Sequence, residues 1–152
     1  MLQTEEIKYL KQQVEFYRRD YNTGLLGRHD FSSDIRKKFK EGKEFWLAMH
    51  DITGLHRVNR EYGYSAGDSL IKQVANDLKL CTKPCEVYLI GGDEFMTLYC
   101  TKPTNIDVCD TTGAFMSSIG FTSVDTMIDA VDKLVIDKKT KLGRRREDLE
   151  HK

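Results

Sequence analysis

The chain has no net charge: 24 lysines and arginines balance 24 aspartates and glutamates across 152 residues. That disfavours a protein held to nucleic acid by overall charge alone. No apolar run approaches the ~18 residues that a membrane helix needs. No signal-peptide pattern stands at the front. Neither a membrane span nor secretion is therefore indicated. Cysteine is scarce. Cys81 and Cys85 form a C-x3-C pair, but Cys100 and Cys109 do not repeat that spacing, and no nearby histidine completes a zinc site. Four reduced, structural thiols in a cytoplasmic protein are expected. The remainder, 39% hydrophobic and 32% charged, suits one soluble domain with a real core.

Hydrophobic spacing places the elements. Ile7, Leu10, Val14 and Tyr17 or Tyr21 recur at alternating steps of three and four, so residues 3–19 read as a helix with a coiled-coil-like seam. Two readings of that seam stay open: a helix lying on its own domain, or a dimerising helix arriving from an upstream module. Turn-forming residues 20–24 end it. A second helix carries Phe31, Ile35 and Phe39 on one face and has a basic far end. "FWLAMHDI" (45–52) reads as a central strand that delivers Asp51 at its C-terminal end. Residues 54–67 read as loop and short helix, and a further helix is expected from Asp68. Pro84 breaks the chain before two strands, 86–90 and 94–100. Residues 101–112 read as loop, "AFMSSIGF" as strand, and Val124 to about Lys139 as a last helix. The charged tail beyond it is expected to fray. No repeat and no second domain appears. This order fits a split βαβ or ferredoxin-like sheet with helices on one face.

"YLIGGDEFMTLY" (88–99) sets two glycines and two acids between apolar runs. Glycine and acids weaken a strand interior, so they belong at a hairpin tip, where the backbone turns and a ligand approaches closely. In such a sheet the strand ending at Asp51 and the hairpin bearing Asp93 can lie side by side. Two carboxylates at a sheet edge suit a hard divalent cation, Mg²⁺ (or Mn²⁺), with waters and phosphates completing its shell. Phosphoryl transfer, which needs mostly positioning and charge neutralisation, is the chemistry that follows.

The pentapeptide Gly91–Phe95 and three further stretches resemble the GGDEF family, the diguanylate cyclases. "DYNTGLLGRHDF" (20–31) is similar to the family's opening D-x-L-T-G-L-x-N-R-R-x-F. "HDITGLHRVNREYGYSAGDSLI" (50–71) is similar to its D-I-D-x-F-K-x-I-N-D-x-x-G-H-x-x-G-D segment. "SSIG" (117–120) and "VDKLVIDKKTKLGRRR" (131–146) resemble its S-I-G strand and closing helix. The resemblance implies an α+β fold, an α/β sandwich of ferredoxin-like or palm type, whose central antiparallel sheet is flanked by helices. It divides the chain into an N-terminal helix (1–19), a cyclase domain (20–146) and a charged tail (147–152).

The function implied is condensation of two GTP into cyclic di-GMP and pyrophosphate, one GTP on each of two facing domains. Asp51, Asp93 and the carbonyl of Ile52 would hold the metal. Asp93 with Glu94 would help deprotonate the attacking 3′-hydroxyl. Asn59 and Asp68 would read guanine, because a carboxylate accepts N1–H and N2–H₂. Lys139, Arg144 and the amides near Leu55 and His56 would take the phosphates. The partners implied are GTP and a second such domain, in a transient or coiled-coil-mediated homodimer.

The departures are specific. Thr53 replaces the second Asp of D-x-D, and His56 stands where the family has a Lys. Arg60 and Tyr64 replace Asp and His, and Leu89 replaces the Arg before the signature. One extra residue separates Lys139 from Gly143. The product-inhibition motif R-x-x-D would fall on Thr82 and Cys85, which predicts no inhibition through it. The stretch from Tyr99 to Ser117 is too short for the family's usual helix. A catalytically silent domain that binds GTP or a partner is the alternative these departures favour.

Overall fold

A computed structural model describes residues 2–80 and 86–150, with side chains described as far as residue 143. The strongest apolar run builds the centre. β1 (Trp46–Ile52) pairs antiparallel with both β3 (Glu94–Tyr99) and β4 (Thr111–Ser117). β2 (Glu86–Leu89) pairs with β3, giving a four-stranded antiparallel sheet in the order β2-β3-β1-β4. Period-two alternation then splits the strand residues between two faces. Leu47, Met49, Met96 and Leu98 meet Phe31 and Ile35 of α2 (Arg28–Glu41) and Met127, Val131 and Val135 of α5 (Val124–Glu150). Ile52, Val87 and Phe95 meet Val74, Ala75 and Leu78 of α4 (Tyr64–Leu80) on the opposite face. The fold is α+β, as expected, but the helices cover both faces rather than one. Every strand is apolar on both sides, so neither face can be left to water.

Three boundaries differ from the sequence reading. α4 begins at Tyr64, not Asp68, because the break after α3 (Leu55–Tyr62) is Gly63 alone, at φ 91°. β4 begins at Thr111 and ends at Ser117, so Ile119 is exposed instead of in a strand. α5 runs on to Glu150, through the tail expected to fray. No helix stands between β3 and β4. Ile106, in the loop joining them, is buried against Ala48 and Tyr99 and covers that part of the sheet.

The seam of α1 (Leu2–Arg18) does not pack on the domain: Ile7, Leu10 and Val14 are 51%, 53% and 58% exposed. No helix among the described residues is long and apolar enough to cross a membrane. Cys100 is disulfide-bonded, with its partner outside the described residues, while Cys109 is free and exposed. The expectation of reduced thiols throughout therefore fails at Cys100. Cys81 and Cys85 themselves lie outside the described residues.

His50 sits within the sheet, 1% exposed, its Nε2 donating to the Ile106 carbonyl at 2.8 Å. Burial holds its pKa below the ordinary value. Gly113 faces it across the β1–β4 pair, and a Cβ there would stand 2.4 Å from the ring. Gly113→Ala is expected to overpack this layer and cost about 1–3 kcal/mol of stability, read as a lower urea midpoint with unchanged slope. An unshifted midpoint would show that the ring moves freely.

Candidate active site

The end of the β1–β3 ladder brings the acids together. Asp51 lies directly opposite Glu94 in the antiparallel register. One step further, the Ile52 amide donates to the Asp93 carbonyl at 3.0 Å. Ile90 N–H donates to the Glu94 carbonyl at 2.9 Å, closing the hairpin around residues 91–93. Asp51 and Glu94 share the face that carries Met49 and Met96, since positions two apart on a strand point the same way. Neither Gly91 nor Gly92 adopts a left-handed conformation, and neither has any atom within 4 Å of where a Cβ would stand. Glycine here leaves open space beside the acids.

The acids repel one another. Glu94's carboxyl is pushed above its usual value, first by burial and then by Asp51, Asp132 and Asp93, with Arg28 opposing. The counter-charge on Asp51 is Lys139: its ammonium donates to Oδ2 in an ion pair between α5 and β1. A hard cation fits this donor set. Among the described residues no three acidic, histidine or cysteine side chains stand at ligand spacing. Among the described residues the strand end offers a carboxylate pair with backbone carbonyls, the partial shell that magnesium usually accepts.

The path after β1 turns through Thr53 and Gly54, the latter at φ 78°, into α3. No side chain caps this helix, so its first amides, at Leu55 and His56, are free to meet an anion. His56 itself is exposed. Asn59, on α3, lies against α4 over Gly67: a Cβ at Gly67 would fall 1.7 Å from Asn59 Oδ1. That contact explains a glycine buried inside a helix, where it ordinarily costs about 1 kcal/mol. Asp68 follows Gly67 with its side chain exposed. Its carbonyl accepts from Asn22 Nδ2 at 2.8 Å. The turn holding Asn22 is fixed in turn by Asp20 Oδ2, which accepts from the Thr23 amide and hydroxyl, and by Lys79, which donates to the Thr23 carbonyl.

The structure thus gathers Asp51, Ile52, Asp93, Glu94 and Lys139 at one strand end, and sets Asn59 beside the Gly67–Asp68 step. Arg144 lies on α5, with its side chain outside what is described, and Thr82 and Cys85 lie outside the described residues. Sequence reasoning missed Asn22 and Asp132. Asn22 had a signal, its place in the opening turn. Asp132 had one too, as the second residue of the stretch 131–146 that resembles the family's closing helix.

Residues 18–119 match the family described as diguanylate cyclase, GGDEF domain. The chain belongs to the GGDEF family. Diguanylate cyclase VdcA of Vibrio cholerae is 33% identical over 97 residues, which cover 60% of this chain and 29% of VdcA. The cyclic di-GMP phosphodiesterase PdeB of Shewanella oneidensis is 30% identical over 81 residues, 53% of this chain and 10% of PdeB. This GGDEF domain therefore spans less than a third of either relative. The coiled coil and GGDEF domain of DgcB from Caulobacter crescentus, solved in complex with c-di-GMP, superposes with a TM-score of 0.78 at 16% identity, over 92% of this chain and 90% of that one.

Glu94 yields a pH prediction. An acid whose pKa is raised by folding binds more protons folded than unfolded, so stability falls as pH climbs from the unfolded value, ~4.3, through the folded one. Glu94→Gln is expected to be more stable than the parent at pH 7, with the advantage vanishing below about pH 4. Equal midpoints at both pH values would contradict the burial and repulsion assigned to Glu94.

Proposed function

We propose that this domain is a diguanylate cyclase that condenses two GTP into cyclic di-GMP and pyrophosphate. The observation that carries the reading is the junction at which Ile52 N–H meets Asp93 C=O, with Asp51 opposite Glu94. Magnesium, or manganese, held by Asp51, Asp93 and the Ile52 carbonyl would supply charge neutralisation at the phosphates. Asp93, with Glu94, takes the proton of the attacking 3′-hydroxyl. Glu94 suits proton acceptance because its pKa is raised toward the working pH. Asn59 and Asp68 select guanine, since a buried mismatch with adenine would leave donors and acceptors unpaired. The amides of Leu55 and His56, with Lys139 and Arg144, take the phosphates. Lys139 is the preferred lysine, being the one whose ammonium reaches the carboxylate cluster.

Each domain holds one GTP, so two must face each other. The exposed seam of α1 is suited to bring them together as a coiled coil. On this reading residues 1–19 are the dimerising helix and 20–146 the catalytic unit. The lost R-x-x-D pair leaves no product inhibition through that site.

A second reading, a silent domain that binds GTP and regulates an attached module, has its own support. PdeB is named for the opposite reaction, yet is similar to this chain over 81 residues. An imidazole, exposed as at His56, is also a weaker phosphate partner than the lysine ammonium it replaces.

Incubation with GTP and Mg²⁺ or Mn²⁺ separates the two. Pyrophosphate and cyclic di-GMP are expected, rising more than linearly with protein concentration, absent with ATP, and at least about 100-fold lower for Asp93→Ala. Product that survives Asp93→Ala would end the mechanism. Tight GTP binding without turnover would select the silent reading. Gly67→Ala, which must displace Asn59, is expected to weaken GTP binding about tenfold while leaving the fold intact.

A further inference from the structure

Beside Glu94 a groove of about 310 Å³ runs between α2 and α5, with the sheet as its floor. Its two walls differ in charge. α2 presents Arg28 and Arg36, two turns apart on one face, and α5 presents Asp125, Asp129 and Asp132 along another. None of these five makes an ion pair among the described residues. Arg36 Nε donates to the Ser32 hydroxyl at 3.4 Å. The floor is apolar apart from Glu94, which the groove shares with the acid cluster, and is built from Phe31, Met49, Met96 and Ile128.

Opposite charges that line a groove without closing on each other ask for a ligand with acceptors on one side, donors on the other and an apolar face between. Guanine has that polarity. Its O6 and N7 accept from arginine, its N1–H and N2–H₂ donate to a carboxylate, and its ring face packs on an apolar floor. Adenine presents an amino donor where guanine has O6, so it meets the arginine wall wrongly. The volume sits at the low end of small-ligand cavities, roughly 300–1,000 Å³, and suits one purine nucleotide rather than two.

We propose that this groove is a second guanine-nucleotide site, separate from the one at Asn59 and Asp68. Arg28 and Arg36 bind the O6/N7 edge or the phosphate, and Asp129 and Asp132 bind the N1–H and N2–H₂ donors. The site does not depend on turnover of GTP, so it can stand or fall apart from the catalytic reading.

The probe is 5′-GMP, titrated into the full chain carrying ¹³C-methyl methionine and followed by NMR. The methyls of Met49 and Met96 are expected to shift saturably while that of Met116, away from the groove, stays put. AMP should need at least about tenfold more, and Arg36→Ala or Asp129→Asn should weaken GMP binding about tenfold or more. Both positions are exposed, so the fold survives these changes. Asp68→Asn, which removes the other guanine contact, should leave the shifts in place. Absent shifts at millimolar GMP, equal response to AMP, or indifference to both groove substitutions would overturn the proposal. So would loss of the shifts in Asp68→Asn, which would assign them to the catalytic pocket.

Discussion

The amide of Ile52 donates to the carbonyl of Asp93, and that bond carries the β1–β3 ladder one step past its last strand pair. The acid side of the proposed site hangs on it. Without the step, the hairpin tip would splay away from β1 and Asp93 would be a solvated turn residue, while Glu94 would keep only its pairing with Asp51. With it, carboxylates from distant parts of the chain are held at one edge by backbone geometry, which tolerates little drift. β1 can serve as this anchor because it is central, buried on both faces and paired on both sides. The open flank at Gly91 and Gly92 keeps the approach clear once the acids are fixed.

Burial first, and then the gathered like charges, raise Glu94's pKa, and Lys139 from α5 supplies a counter-charge to Asp51. In the proposed reaction the same lysine serves the phosphates. Were Asp51 to hold a metal, the Lys139 ammonium would be free for the incoming triphosphate, and the charge at the strand end would stay balanced. An exposed ion pair of this kind is worth little in stability, at most about 1 kcal/mol. A weak pair is what such an exchange needs, since a strong one would compete with substrate.

The central strand, the hairpin and the acids at its tip were legible because apolar runs interrupted by Gly-Gly-Asp-Glu have few other uses. The α5 face was legible from its spacing, and Met127, Val131 and Val135 are all buried. What escaped was tertiary. Gly67 reads as the end of a loop, yet it lies inside α4, because Asn59 needs the space its missing side chain leaves. The tail was read as fraying from its charge, but α5 continues as a helix through it. The second helical layer could not be inferred from element order, which does not say which face of the sheet each helix takes. The disulfide at Cys100 was equally out of reach, since spacing alone does not pair cysteines.

The departures from the family pattern sort by where they fall. His56, Arg60 and Tyr64 are exposed, and Thr53, also exposed, still donates its amide to the Asp110 carbonyl at 2.7 Å. None of them supports the positions of the metal-side acids or of Asn59, which are set by the strand ladder and by the contact with Gly67. The missing helix is replaced by Ile106 sealing the sheet over Ala48 and Tyr99, so its loss opens no core. These four substitutions therefore alter charge on exposed positions while leaving the ladder that aims the acids intact, whereas Leu89 pairs with Phe95 within the sheet. On the proposed reading, the cost of these four is expected in affinity for phosphate rather than in the geometry of proton removal, because the two depend on different parts of the fold.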